Sequence, residues 1–119
     1  MKAQTSIGQF SDLDDFWPFY ISQHLKPKTR LLHFAGTSLG LLLLAVAAVL
    51  RTPWLLMAAL VGSYGLAWIG HFFIENNRPA TFKYPLLSLR ADFRMYRLMG
   101  LGRMKDEIFR LQAEIRRFR

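Results

Sequence analysis

Apolar positions crowd into two long blocks. The first, LLHFAGTSLGLLLLAVAAVL from Leu31 to Leu50, is twenty residues long, and WLLMAALVGSYGLAWIGHFFI from Trp54 to Ile74 is of the same kind. Twenty helical residues extend about 30 Å, the thickness of a bilayer's hydrocarbon core. Between the blocks, RTP (Arg51 to Pro53) makes a tight connection, and Pro53 suits the first turn of the helix that follows. The pattern therefore predicts a hairpin of transmembrane helices over 29–50 and 54–76.

The flanks have a different pattern. Residues 1–10 read as a loose start. SDLD, beginning at Ser11, reads as a helix cap with an acidic residue three positions on. The aromatic cluster Phe16, Trp17, Phe19 and Tyr20 points to an interfacial helix over 11–25, kinked or restarted near Pro18. Packing of the same rings on the membrane helices is the other reading. Pro27 separates this element from the first spanning helix. After Pro79, residues 86–119 read as a basic amphipathic helical region: Leu89, Phe93 and Tyr96 share a face beside Arg90, Arg94 and Arg97, and Gly100 and Gly102 loosen the chain. Ile108, Leu111, Ile115 and Phe118 then recur at spacings of three and four, predicting a helix from about Met104 to Arg119. The fold class is an all-α membrane protein, with 1–119 as a single membrane domain.

Composition sharpens this picture. The 119 residues are 52% hydrophobic with a net charge of +8, yet from Leu31 to Asn77 the only formal charges are Arg51 and Glu75. A chain of this length has too little other material to cover two such helices in a soluble core. The first thirty residues lack the layout of a cleaved signal and include Asp12, Asp14 and Asp15. Lys26, Lys28 and Arg30 precede the hairpin, and Arg78, Lys83 and Arg90 follow it, while its far end has only Arg51; the basic-residue bias puts both ends on the cytoplasmic side. The chain has no cysteine, which excludes disulfides, thiolate catalysis and thiolate metal sites. The amphipathic pattern beside two spanning helices accounts for the basic charge, so nucleic acid is not an expected partner.

Three histidines then stand out. Taking Thr52 as the apex, His33 lies nineteen residues before it and His71 nineteen after it, so both reach one level about 28 Å from the turn. The break at Pro27 can fold His24 back over the same mouth. Glu75 follows His71 by one turn on the same face. Imidazoles with one carboxylate suit Fe(II), Zn or Mn, and two or three His with a carboxylate is a pattern of non-haem iron sites handling O2. Glu75 fits either as a ligand or as a group orienting a liganding imidazole. The plainer reading is a hydrogen-bonded pair at a helix mouth. Gly36, Gly40, Gly62, Gly65 and Gly70 permit close helix approach, which also narrows the gap between His33 and His71.

FWPFYISQHLKPKTRLLHFAGT, followed by GHFFIENNRPATFKYP and LRADFRM, resembles the small membrane family related to the fungal 2-hydroxy-fatty-acid dioxygenase, over roughly residues 13–99. The resemblance implies an Fe(II)- and O2-dependent enzyme of fatty-acid α-oxidation that shortens a 2-hydroxy acyl chain by one carbon. It implies a metal site at His24, His33, His71 and Glu75, with Glu75 the candidate catalytic base. Arg30, Arg78 or Lys83 could pair with the substrate carboxylate, guanidinium being the better planar match. Eukaryotic relatives have additional hydrophobic segments before the GH-x3-E element and an asparagine-rich stretch where this chain has LKPKTR. This shorter form points to a bacterial inner-membrane branch. The expected partners are membrane lipid and a fatty-acyl substrate, with a homo-oligomer open. A non-catalytic membrane adaptor using the C-terminal helix, and a divalent-cation carrier, are the rival readings. The carrier is the weaker, because no ionisable residue lies centrally in either spanning helix.

Overall fold

The computed structural model describes residues 10–118; the sequence expectations for 1–9 and for Arg119 lie outside these residues. Every regular element among them is helical: α1 (Leu13–Ser22), α2 (Pro27–Leu50), α3 (Trp54–Ile69) continuing into a π-helical turn (Gly70–Glu75), a 3-10 turn (Ala80–Phe82), α4 (Pro85–Gly100), α5 (Met104–Arg110) and α6 (Gln112–Arg116). The chain divides into two compact units, one of His24–Pro79 and one of the residues before and after it.

The His24–Pro79 unit is the hairpin. Pro27 occupies the first turn of α2, where its missing N–H leaves no helical bond unmade. α2 ends at Arg51, which adopts the left-handed conformation (φ 51°), and α3 starts three residues later. Both helices are long and apolar enough to cross a membrane. Only 22% and 17% of their apolar windows are buried, unlike core helices of a soluble protein. Leu42, Val49, Val61 and Phe73 are all at least 60% exposed. The two helices touch through small residues. A Cβ on Gly36 would lie 2.7 Å from the Ser63 carbonyl oxygen, and one on Gly40 would lie 3.2 Å from Ser63 Cβ. Glycine at these positions lets the backbones approach this closely.

The other unit is built around α1. Its cap is Asp12, whose carboxylate accepts from the Asp15 amide at 2.8 Å, one residue later than the expected Ser11. α1 also runs through Pro18 as one helix, without the restart that was one of the two expectations there. Proline removes only one helical bond there, and the burial of Phe16, Trp17, Tyr20 and Ile21 holds the flanking turns. Those aromatic rings are therefore core groups of this unit rather than an outward interfacial belt. Trp17 stacks on Tyr20 with ring centroids 5.5 Å apart, and Phe16 packs on Tyr84 at 5.5 Å.

The C-terminal region departs from a single helix. It forms α5 and α6 with a break at Leu111, so that Met104, Leu111 and Ile115 all turn inward. Phe118 packs on Phe19 at 5.6 Å. The apolar face that an adaptor would use for docking is thus largely covered within its own unit. α4 buries Ser88, Ala91 and Met95 and leaves Leu86, Leu89 and Phe93 exposed.

Candidate metal centre

Three segments of the hairpin unit deliver one imidazole each. His24 sits in the short link before α2, His33 on the second turn of α2, and His71 in the π-helical turn ending the second apolar helix. All three are buried, at 1%, 6% and 2% exposure. Ring centroids lie 4.5 Å apart for His24–His33, 4.5 Å for His24–His71 and 4.9 Å for His33–His71, with interplanar angles of 85°, 79° and 86°. The three rings stand edge to face, and one nitrogen from each lies within 4.8 Å of the others.

The hydrogen bonds settle which nitrogens are available. His33 Nδ1 lies 3.1 Å from the Thr29 carbonyl oxygen, and His71 Nδ1 lies 2.6 Å from Asn77 Oδ1. Both partners are pure acceptors, so both Nδ1 atoms carry protons. In the neutral rings the Nε2 lone pairs of His33 and His71 are therefore left to bind. His24 Nε2 lies 3.1 Å from His33 Nε2. Nitrogens bonded to one ion at about 2.1 Å stand roughly 3.0–3.4 Å apart, so this spacing suits a shared metal. It equally suits an N–H···N bond donated by His24. Beside His33, Thr29 Oγ1 is fully buried with no hydrogen-bond partner among the described residues. A borderline three-nitrogen donor set, with the outer nitrogens of His33 and His71 tied to carbonyl oxygens, fits a divalent transition metal.

Local backbone chemistry aims these rings. Gly70 adjoins Thr29: a Cβ there would sit 3.0 Å from Thr29 Cγ2 and 3.3 Å from Thr29 Cα. Only glycine lets the His71 segment lie against the His33 segment this closely. The widened turn then closes on itself, with the Asn77 amide donating to the His71 carbonyl at 2.9 Å. Asn76 takes the left-handed conformation (φ 59°), which asparagine tolerates better than most residues, and this brings Asn77 back over His71. Single π turns of this kind recur at functional sites.

The remaining candidates fall in different places. Glu75 Oε1 accepts from the Lys26 backbone amide at 2.6 Å, and Lys26 Nζ donates to the Ile74 carbonyl at 2.7 Å. These two bonds tie the end of the π turn to the start of α2. Arg30 is buried, and its Nη1 donates to the carbonyls of His24 and Leu25, each at 2.8 Å, pinning the His24 link. Arg78 is exposed just after the turn. Lys83 belongs to the other unit, where its ammonium lies 5.9 Å from the centre of the Tyr84 ring.

A helical hairpin with three buried imidazoles at one end, two of them braced from outside, defines a small helical protein with a candidate metal centre. The chain belongs to the 2-hydroxy-palmitic acid dioxygenase Mpo1-like family, whose profile matches residues 10–104. No curated protein and no solved structure matches the chain.

Proposed function

We propose that this protein is an integral membrane, Fe(II)-dependent dioxygenase that shortens a 2-hydroxy fatty acid by one carbon. The observation carrying the proposal is the buried His24–His33–His71 cluster, with the proton positions of two rings dictated by Thr29 and Asn77. The family name supports the dioxygenase class; iron is the metal we assign to that chemistry, since three imidazoles alone suit several metals. His24, His33 and His71 would hold the iron, and when bound the metal supplies the oxygen chemistry that no side chain here can perform.

The chain's own residues then have distinct tasks. Thr29 and Asn77 fix ring orientation, while Arg30 holds the His24 link. Glu75, bonded through Oε1 to the Lys26 amide, braces the metal-bearing turn. The apolar hairpin would accept the acyl tail. Arg78, exposed beside the turn, is the best-placed candidate of this unit for the substrate carboxylate. We place both spanning helices in a bacterial inner membrane with the cluster at the cytoplasmic side, a placement supported by the basic flanks of the hairpin.

The test is turnover of 2-hydroxypalmitate by detergent-purified, iron-loaded protein under O2, with product length read by mass spectrometry. The expected product is the fifteen-carbon acid, formed with consumption of O2 and abolished in His71→Ala. Full turnover by His71→Ala would refute the assignment.

A further inference from the structure

The unit formed by α1 and α4–α6 contains a cleft that the oxygen chemistry does not use. It encloses about 570 Å³ and is lined by four arginines, Arg94, Arg97, Arg103 and Arg110, against two carboxylates, Asp14 and Glu107. Both carboxylates are engaged. Asp14 pairs with Arg94 at 3.0 Å; Glu107 pairs with Arg110 and accepts from Trp17 Nε1 at 3.2 Å. Among the described residues Arg97 and Arg103 make no ion pair. The cleft therefore has an unbalanced positive charge carried by two guanidinium groups, the side chain best matched to phosphate oxygens.

Its remaining wall is apolar. Phe93, Leu98 and Leu101 line it, and Phe93 and Leu101 are 48% and 54% exposed. Leu89 and Leu86 continue the exposed stripe along α4, at 42% and 68%. A free inorganic anion has no use for this wall. A ligand with an anionic head and a hydrocarbon body satisfies both parts of the lining, and arginines on such a surface can keep their charged ends at the headgroup level.

We propose that this cleft binds an anionic glycerophospholipid, with the phosphate between Arg97 and Arg103 and the acyl chains against Phe93, Leu98 and Leu101. The proposal rests on the reading of the hairpin as membrane-inserted, but not on the metal centre. Phosphatidylglycerol is the natural probe, because phosphatidylcholine with the same chains has the same apolar body without the net charge.

The experiment uses the full chain in mild detergent, with lipid binding followed by native mass spectrometry. Expected is retention of phosphatidylglycerol at least about fivefold over phosphatidylcholine, falling to near parity in an R97Q/R103Q double variant. R116Q/R117Q removes two exposed charges outside the cleft and is expected to retain the preference. Bound metal is measured on the same samples: R97Q/R103Q keeping the wild-type metal content shows that the variant is folded and separates this site from the histidine cluster. Equal binding of the two lipids by the wild type would overturn the proposal. So would an unchanged preference in R97Q/R103Q, or displacement of the lipid by millimolar inorganic phosphate. Equal loss of preference in both double variants would assign the effect to general charge and also overturn it.

Discussion

Gly70→Ala adds a single methyl group at the point where the two histidine-bearing segments touch. Gly70 has ordinary helical dihedrals (φ −58°, ψ −46°), so alanine is not strained there and any effect comes from packing. The new carbon would stand 3.0 Å from Thr29 Cγ2 and 3.3 Å from Thr29 Cα, where carbon pairs rest at about 3.5–4.0 Å. The segments must then separate by roughly half an ångström, and because Thr29 Cα is backbone, a rotamer change cannot absorb all of it. Thr29 is also the acceptor for His33, and His71 follows Gly70 directly, so the displacement widens the histidine cluster itself. Overpacking of this kind costs about 1–3 kcal/mol. Metal affinity should fall about tenfold or more, as when an outer-shell hydrogen bond is lost. Gly65→Ala is the control: its Cβ meets nothing within 4 Å, so it gains helix propensity of up to about 1 kcal/mol. The assay is the thermal midpoint in detergent together with an anaerobic Fe(II) titration. If Gly70→Ala matched Gly65→Ala in both readouts, the close-approach argument would be refuted.

Asn77→Ala should weaken metal binding by about 10–100-fold while leaving the protein folded, because His71 loses the acceptor that fixes its proton on Nδ1; wild-type affinity in the titration would contradict this. Glu75→Gln keeps an oxygen acceptor for the Lys26 amide and should retain metal, whereas Glu75→Ala should lower the thermal midpoint; complete metal loss in Glu75→Gln would instead make the carboxylate a ligand. In the other unit, burial raises the Asp92 carboxyl from an ordinary 3.8 to about 7, partly countered by the hydrogen bond from Tyr20 at 2.5 Å. The folded state then holds the proton that the unfolded state has lost. This contribution is fully present below about pH 4 and disappears as pH rises through about 7, at up to about 1.4 kcal/mol per pH unit. Thermal melts between pH 5 and 8 should show a midpoint falling with pH in the wild type and a flatter profile in Asp92→Asn; identical slopes would show that Asp92 is not the titrating group.

The hairpin was legible because its signals are long and repeated: two apolar blocks, a proline at each helix start and charges confined to the flanks. Counting residues to Thr52 puts His33 and His71 at one depth, since a straight helix turns sequence distance into depth, and the break at Pro27 lets His24 fold back to join them. What the sequence could not reveal was how each imidazole is aimed. Thr29 acts through its carbonyl, which no residue type advertises. Asn77 lies six positions after His71, outside any helical period, because the chain switches to a π turn at Gly70 and reverses through Asn76. Glu75 illustrates the same limit: an α-helical face puts it one turn beyond His71, but its carboxylate is directed at the Lys26 amide, a group distant in sequence. In the flanking unit the aromatic cluster points to an interfacial helix, and packing of the rings is compatible with the same residues. Only the tertiary positions of Tyr84, Asp92 and Glu107 show that those rings form a core.

The central claim is that three imidazoles from distant parts of the chain hold one metal ion. The most direct measurement is elemental analysis of the protein, purified in mild detergent without a polyhistidine tag and exposed to Fe(II) anaerobically before desalting. The account gives about one equivalent of iron per chain, and fewer than about a tenth of an equivalent would contradict it.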